Sequence, residues 1–319
     1  MGLQTNTSSE WRNRFRLRLE EWDRAVGLDP EQAFFAGWEE MPSFDFSAEP
    51  FRPVTAWWLA ELSRLAYTPD ERELGRPGSG RLPCRRKLLE ERSPFSLVHS
   101  VHTFGNHASI YRKRGETRGA IVCFRGTSRL RQWLMNTAVP THAWRRFQRE
   151  GDPGDAFVHS GFYVLYKRIW PRLAVQLEAI PRPWIFAGHS LGGALATIAG
   201  VVHRPDLVCT FGAPRVGNAR FAGLQETISL WRIVNDLDVV PRLPVADPRF
   251  GSRMFVHGGE LRHLDREGGW RPFREDGEET SLASLFPAGE SRTGPPVWLR
   301  DHRMGEYCRK LRRQVAGID

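Results

Sequence analysis

The chain has 319 residues, carries a formal net charge of +9, and is 40% hydrophobic with 12 tryptophans and 19 phenylalanines. That length and aromatic content fit one large globular domain with a sizeable core, and they argue against disorder. The positive charge is almost all arginine and is spread along the whole chain, so it forms no concentrated nucleic-acid module, and no nucleic-acid partner is expected.

In chain order, residues 9–26 read as an amphipathic helix. At the helical period Trp11, Phe15, Leu19, Trp22 and Val26 fall in a stripe about 80° wide. Asp29-Pro30-Glu31 resembles an N-cap followed by proline at the first helical position, opening a short helix through Trp38. Together these make an expected N-terminal helical extension over 1–53. A third helix is expected over 54–67, and residues 71–95, charged and rich in glycine and proline, read as a loop. Strand patterns follow at 99–104, 107–112 and 119–124, with a turn at Gly115-Glu116-Thr117. Phe157 to Phe162 opens a helix running to about residue 180.

Residues 184–196 then place an apolar run, Trp184-Ile185-Phe186-Ala187, before Gly188-His189-Ser190-Leu191-Gly192 and a small-residue helix. This is the G-x-S-x-G pattern of a nucleophile elbow. Flanking glycines permit a strained turn, and the serine hydroxyl is lifted above the sheet toward helix N-terminal amides that can stabilise an oxyanion. Strands at 207–211 and 229–234, with a helix between them after Gly212-Ala213-Pro214, complete an alternation that predicts a mostly parallel sheet with helices on both faces. Residues 262–300 read as a loop insertion.

A serine nucleophile on such a sheet needs a carboxylate and a histidine that follow it in that order. Of the ten histidines, His257, His263 and His302 lie beyond the last predicted parallel strand, and Asp236 and Asp238 offer the acid. The order alone does not choose among them.

Four blocks in sequence carry a specific resemblance: Phe124-Arg125-Gly126-Thr127, His159-Ser160-Gly161-Phe162, residues 188–193, and 211–218 followed by 235–244. On these the chain resembles the fungal-type triacylglycerol lipase family, lipase class 3, of the α/β-hydrolase fold, over about residues 98–315. The resemblance implies a hydrolase domain at 54–319 with a lid around 128–156. It makes Ser190 the nucleophile, Asp238 the acid, Asp236 a solvated neighbour and His302 the base, with His257 ranked second and His159 structural. Thr127, through its amide and hydroxyl, and the amide of Leu191 become the oxyanion hole. The implied activity is hydrolysis of lipid carboxylic esters through an acyl-enzyme, with a lipid ester as partner and no metal or organic cofactor.

The chain departs from that pattern in places. Secreted fungal members carry a leader and disulfides, whereas here no apolar leader pattern is evident. Cys84, Cys123, Cys209 and Cys308 show no paired spacing, so a cytoplasmic protein, with peripheral contact at a lipid interface, is expected. Arg131-Gln132-Trp133 stands where Asp-Trp is often found. Two rival readings differ in what they would bind or cleave: a thioesterase or peptidase on the same fold, and a non-catalytic scaffold that only binds lipid or protein.

Overall fold

A computed structural model describes residues 33–47, 49–68, 84–103, 106–126, 141–143, 155–244, 254–271 and 297–316. The helix expected over 9–26 and the Asp29-Pro30-Glu31 opening lie outside the described residues. After them, 34–37 is turn and Trp38–Glu40 is a single 3-10 turn, so the expected short helix does not run as an α-helix through Trp38. Phe34, Phe35 and Phe44 are nonetheless buried in the main core.

Helix α1, Pro53–Leu65, starts with proline at a position that has no use for an N–H, and it is buried from Thr55 to Leu65. The stretch expected as a loop contains a second helix, α2, Arg85–Arg92. Its charge conceals two core residues, Leu88 and Leu89, and a fully buried Arg85. Arg85 donates to the carbonyls of Leu65, at 3.3 Å, and Ala66, at 3.2 Å, capping the orphan carbonyls at the end of α1. The helix is therefore held by a long-range contact that local composition does not report.

Strands β1, Phe95–Thr103, β2, Asn106–Lys113, and β3, Ala120–Phe124, form the expected antiparallel meander. The short β4, Thr141–Ala143, and β5, Phe157–His159, come next. Residues 157–159 are thus strand, and helix α3, Ser160–Leu177, begins only after them, with the His159 ring accepting the Gly161 N–H at its mouth. Then follow β6, Trp184–His189, α4, Leu191–His203, β7, Leu207–Phe211, β8, Gly217–Asn218, α5, Ala219–Gln225, and β9, Leu230–Asn235. Part of the expected 262–300 loop is strand as well: after β10, Phe255–Val256, strand β11, Glu260–Leu264, pairs parallel with β9 and is followed by β12, Trp270–Arg271. Helices α6, Val297–Arg300, and α7, Met304–Ala316, end the described chain.

The main sheet has eight strands in the order β1-β2-β3-β6-β7-β9-β11-β12; its five central strands, from β3 to β11, are parallel. A small antiparallel sheet, β10-β8-β5-β4, stands apart. Because strand side chains alternate faces, β3 sends Ile121 and Cys123 into one core and Ala120, Val122 and Phe124 into the other. The first core is closed by α1 and α7, the second by α3 and α4. Both faces being covered explains why the central strands read as continuous apolar runs.

Trp58, 1% exposed, packs edge-on against Trp57 and Phe95 and donates its indole N–H to the Pro42 carbonyl at 3.1 Å. Trp58→Ala is expected to cost about 3–5 kcal/mol in urea unfolding, with Trp58→Phe costing less. A loss under 1 kcal/mol for the alanine variant would show that this core does not depend on α1.

Candidate active site

Strands β6, β7 and β9 are parallel neighbours, so His189, Phe211 and Asn235 finish at one edge of the sheet, where ligands of such sheets bind. Ser190 follows β6 with φ 58° and ψ −128°, a conformation that non-glycine residues rarely adopt. The turn is held by hydrogen bonds on both sides. The Ser190 N–H donates to the Phe211 carbonyl at 2.9 Å, and the Ser190 carbonyl accepts the Gly193 N–H at 2.9 Å. A Cβ on Gly188 would collide with Gly192, and one on Gly192 with the Phe124 carbonyl, so the strand and helix can approach this closely only with glycine at both positions. Ser190 is 2% exposed, and among the described residues its Oγ has no hydrogen-bond partner. Leu191 opens α4, in the turn whose N–H groups have no acceptor inside the helix.

Beyond β9 the chain turns back on itself. The Asp238 N–H donates to the Asn235 carbonyl at 2.8 Å, and the carboxylate is fully buried. Three donors converge on it. The Val240 N–H reaches Oδ1 at 2.9 Å, the Tyr307 hydroxyl reaches Oδ2 at 2.6 Å, and His302 Nδ1 lies 2.9 and 2.8 Å from the two oxygens. A carboxylate accepts, so Nδ1 carries the proton, and in the neutral ring Nε2 keeps its lone pair. Burial, and then the Asp238 charge, push the Tyr307 hydroxyl well above its ordinary range, so it stays a donor. Gly212, at φ 56°, makes room for the pair: a Cβ there would strike Asp238 Oδ2 and stand 3.0 Å from His302 Nδ1. Since the Ser190 N–H is bonded to Phe211, the residue before Gly212, the elbow and the acid–histidine pair adjoin.

The other two C-terminal histidines face carbonyls. His257 Nε2 donates to the Pro241 carbonyl at 2.7 Å, and His263 Nε2 to that of Asp236 at 3.1 Å. Burial, with Arg232 and Arg215 nearby, drives His257 well below the usual histidine range. Burial also takes His159 down to about 4. Asp236 departs from the expectation of a solvated neighbour. It is only 9% exposed at φ 33°, its N–H donating to the Leu264 carbonyl at 2.7 Å, because β11 packs alongside.

Of the expected site residues, the structure brings Ser190, Leu191, Asp238 and His302 to one sheet edge. Thr127 lies outside the described residues, which reach Gly126 on that strand, and so does the expected lid apart from 141–143 and 155–156. Sequence reasoning missed Tyr307, Asn235 and Lys310. The Asn235 side chain donates to the Asp301 carbonyl at 2.8 Å and accepts from Lys310 Nζ at 2.5 Å, tying the His302 loop and α7 to the end of β9. Tyr307 and Lys310 lie one turn apart on α7, a spacing that marks them as neighbours on one helix face.

An elbow serine at the edge of a mostly parallel sheet, next to a buried acid–histidine pair, defines an α/β-hydrolase fold. Within that fold residues 121–247 match the family model Lipase (class 3). The chain is 33% identical over 136 residues to secreted mono- and diacylglycerol lipase 1 of Fusarium solani, a match covering 39% of each chain. It is 28% identical over 181 residues to phospholipase A1-II 1 of Oryza sativa subsp. indica, covering 47% of this chain and 46% of that one. The match thus spans under half of the length of either relative. The crystal structure of the lipase from Rhizopus microsporus var. chinensis superposes with a TM-score of 0.52 at 25% identity, covering 70% of this chain and 79% of that one. Among the described residues no helix is long and apolar enough to cross a membrane.

Asp301, next to His302, accepts the Leu237 N–H at 3.2 Å, and burial raises its carboxyl to about 6 against the opposing charge of Lys310. The folded chain therefore holds this proton more tightly than the unfolded chain, and ionisation subtracts stability as pH rises from about 4 through about 6. Asp301→Asn keeps an acceptor for Leu237 and is expected to flatten the fall in melting temperature across that window. An unchanged pH profile would show that Asp301 titrates alike in both states.

Proposed function

We propose that the chain is a serine hydrolase of lipid carboxylic esters. Ser190 is its nucleophile, His302 its base and Asp238 its acid. The observation that carries this reading is the convergence of the strained Ser190 elbow with a histidine whose Nδ1–H is committed to a buried carboxylate. That arrangement leaves His302 Nε2 as the ring's basic nitrogen.

In the mechanism, Ser190 Oγ attacks the ester carbonyl while His302 Nε2 takes its proton, and the imidazolium then protonates the leaving alcohol. Water, activated by the same nitrogen, cleaves the acyl-enzyme. Asp238 holds the ring in the required tautomer and stabilises its cation, with Tyr307 and the Val240 N–H fixing the carboxylate in turn. Negative charge on the tetrahedral intermediate falls to the Leu191 N–H at the start of α4 and to Thr127. The lipid nature of the substrate rests on relatives whose names cover both acylglycerols and phospholipids, so the shared chemistry is a fatty-acyl ester.

Ser190→Ala is expected to abolish fluorophosphonate labelling and hydrolysis of p-nitrophenyl esters while the far-UV circular dichroism is kept. Persistent labelling would place the nucleophile elsewhere. Asp238→Asn and His302→Ala should each lower kcat by about 10⁴-fold, far more than Asp236→Asn or His257→Ala. An inactive His257→Ala beside an active His302→Ala would reverse the assignment of the base. Emulsified diacylglycerol and phosphatidylcholine vesicles, compared as substrates, assign the head group; turnover of acyl thioesters or peptides with none of esters would overturn the reading.

The lid reading of 128–156 rests on its sequence, in which Leu130, Trp133, Leu134 and Trp144 are interspersed with Arg129, Arg131, Arg145 and Arg146. Such a segment buries apolar surface at a lipid interface and favours anionic lipid. Activity on a long-chain ester is expected to climb when vesicles form, and further with anionic lipid until salt is added. A rate that follows monomeric substrate smoothly through its aggregation point would remove the lid.

A further inference from the structure

His189 is fully buried and Tyr67 half-buried beside it, and neither belongs to the triad. The His189 Nε2 lies 2.8 Å from the carbonyl of His302, and Tyr67 Oη lies 2.7 Å from His189 Nδ1. A carbonyl can only accept, so Nε2 bears the hydrogen. The neutral ring then has a lone pair at Nδ1, which accepts the Tyr67 hydroxyl proton. Tyr67 Oη also sits against the backbone of Gly126. The direction of both bonds is fixed: Tyr67 O–H to His189 Nδ1, and His189 Nε2–H to the His302 carbonyl.

We propose that Tyr67 and His189 are a positioning pair that sets the spacing between the oxyanion strand end at Gly126 and the backbone of the base His302. Resting on the ester-hydrolase reading, this deepens it. Gly126 closes up against the elbow: a Cβ there would strike Tyr67 Oη and stand 3.2 Å from Ser190 Cβ. At the other end, the His189 ring lies 4.4 Å from the His302 ring, tilted by 36°. When His302 becomes an imidazolium, a charged His189 would repel it; a neutral one, holding the His302 backbone, does not. Burial and the nearness of His302 keep His189 well below its ordinary range, and burial keeps Tyr67 protonated.

The chemistry explains why the pair needs no contact with substrate. Ser190 with Leu191, the strand end at Gly126 and His302 come from three separate segments of chain, and a displacement of about 1 Å among such groups can cost about 10²-fold in rate. The pair ties all three segments through one hydroxyl and one ring.

The test uses the full chain in two arms. In the first, ¹⁵N-histidine labelling and NMR assign His189 by its loss in His189→Asn. A neutral Nε2–H ring between pH 5 and 8, with an Nδ1 resonance that moves in Tyr67→Phe, is expected. An Nδ1–H ring, a charged ring, or an Nδ1 resonance indifferent to Tyr67→Phe overturns the proposal. The second arm measures p-nitrophenyl butyrate hydrolysis per active site, counted by fluorophosphonate titration so that unfolded protein does not contribute.

Tyr67→Phe is expected to lower kcat about ten- to hundred-fold with KM within about two-fold, and Tyr67→Phe/His189→Asn to be no slower than His189→Asn alone. Tyr111→Phe, which removes another buried hydroxyl from the same core, should keep wild-type kcat. A Tyr67→Phe kcat within two-fold of wild type, an equal loss in Tyr111→Phe, or losses that multiply in the double variant overturns the proposal. A wild-type chain that hydrolyses no ester overturns the hydrolase reading itself. The tautomer arm needs no substrate, so in that case it still decides the hydrogen-bond order of the pair.

Discussion

A carboxylate without solvent is the constraint on which the rest of the site depends. Asp238 is fully buried, and an isolated ion there would be strongly unfavourable. Its charge is offset by the His302 ring, the Tyr307 hydroxyl and the Val240 N–H, partners that come from two parts of the chain. The Val240 donor is local, supplied by the 3-10 turn that follows β9. The other two arrive from the C-terminal segment, so the acid can be buried only when α7 is docked. Docking and the chemistry are therefore one structural event.

That dependence accounts for the polar stitching around α7. Lys310, 2% exposed, reaches both the Asn235 side chain and the Asp265 carbonyl. Burial lowers its affinity for a proton while Asp301 and Asp236 raise it. Tyr307 bonds in two directions, accepting the Asn235 N–H at 3.1 Å and donating to Asp238. Apolar packing on α1 brings the helix to the sheet, but it is not directional. The hydrogen bonds to β9 and its following turn decide where along the sheet edge the His302 loop comes to rest.

The segment matching the class 3 lipase family, 121–247, contains Ser190 and Asp238 but not His302. Three histidines follow Asp238: His302 faces the Asp238 carboxylate, while His257 and His263 donate through Nε2 to carbonyls. Tyr67 also lies outside that segment, at the end of α1, where Arg85 caps the carbonyls beside it. The site is thus framed at the front by α1 and at the back by α7, with the family segment between them.

What could be read from the residues alone was whatever short-range order controls. The glycines around Ser190 specify a tight turn, the apolar runs at 120–124, 184–189 and 207–211 specify strands covered on both faces, and the 53–65 stretch specifies a helix. The resemblance of four blocks then singled out Asp238 and His302 among the candidates. Helix 85–92 was hidden because its stability comes from Arg85 reaching the end of another helix. Strand 260–264 was hidden because its partner, β9, precedes it by some thirty residues and five residues carry little periodicity. The burial of Asp236 follows from that same pairing. The roles of Tyr67, His189 and Tyr307 were decided by tertiary structure for one physical reason: a hydrogen bond between residues 69 or 122 positions apart leaves no pattern in a sequence and exists only once the chain has closed around it.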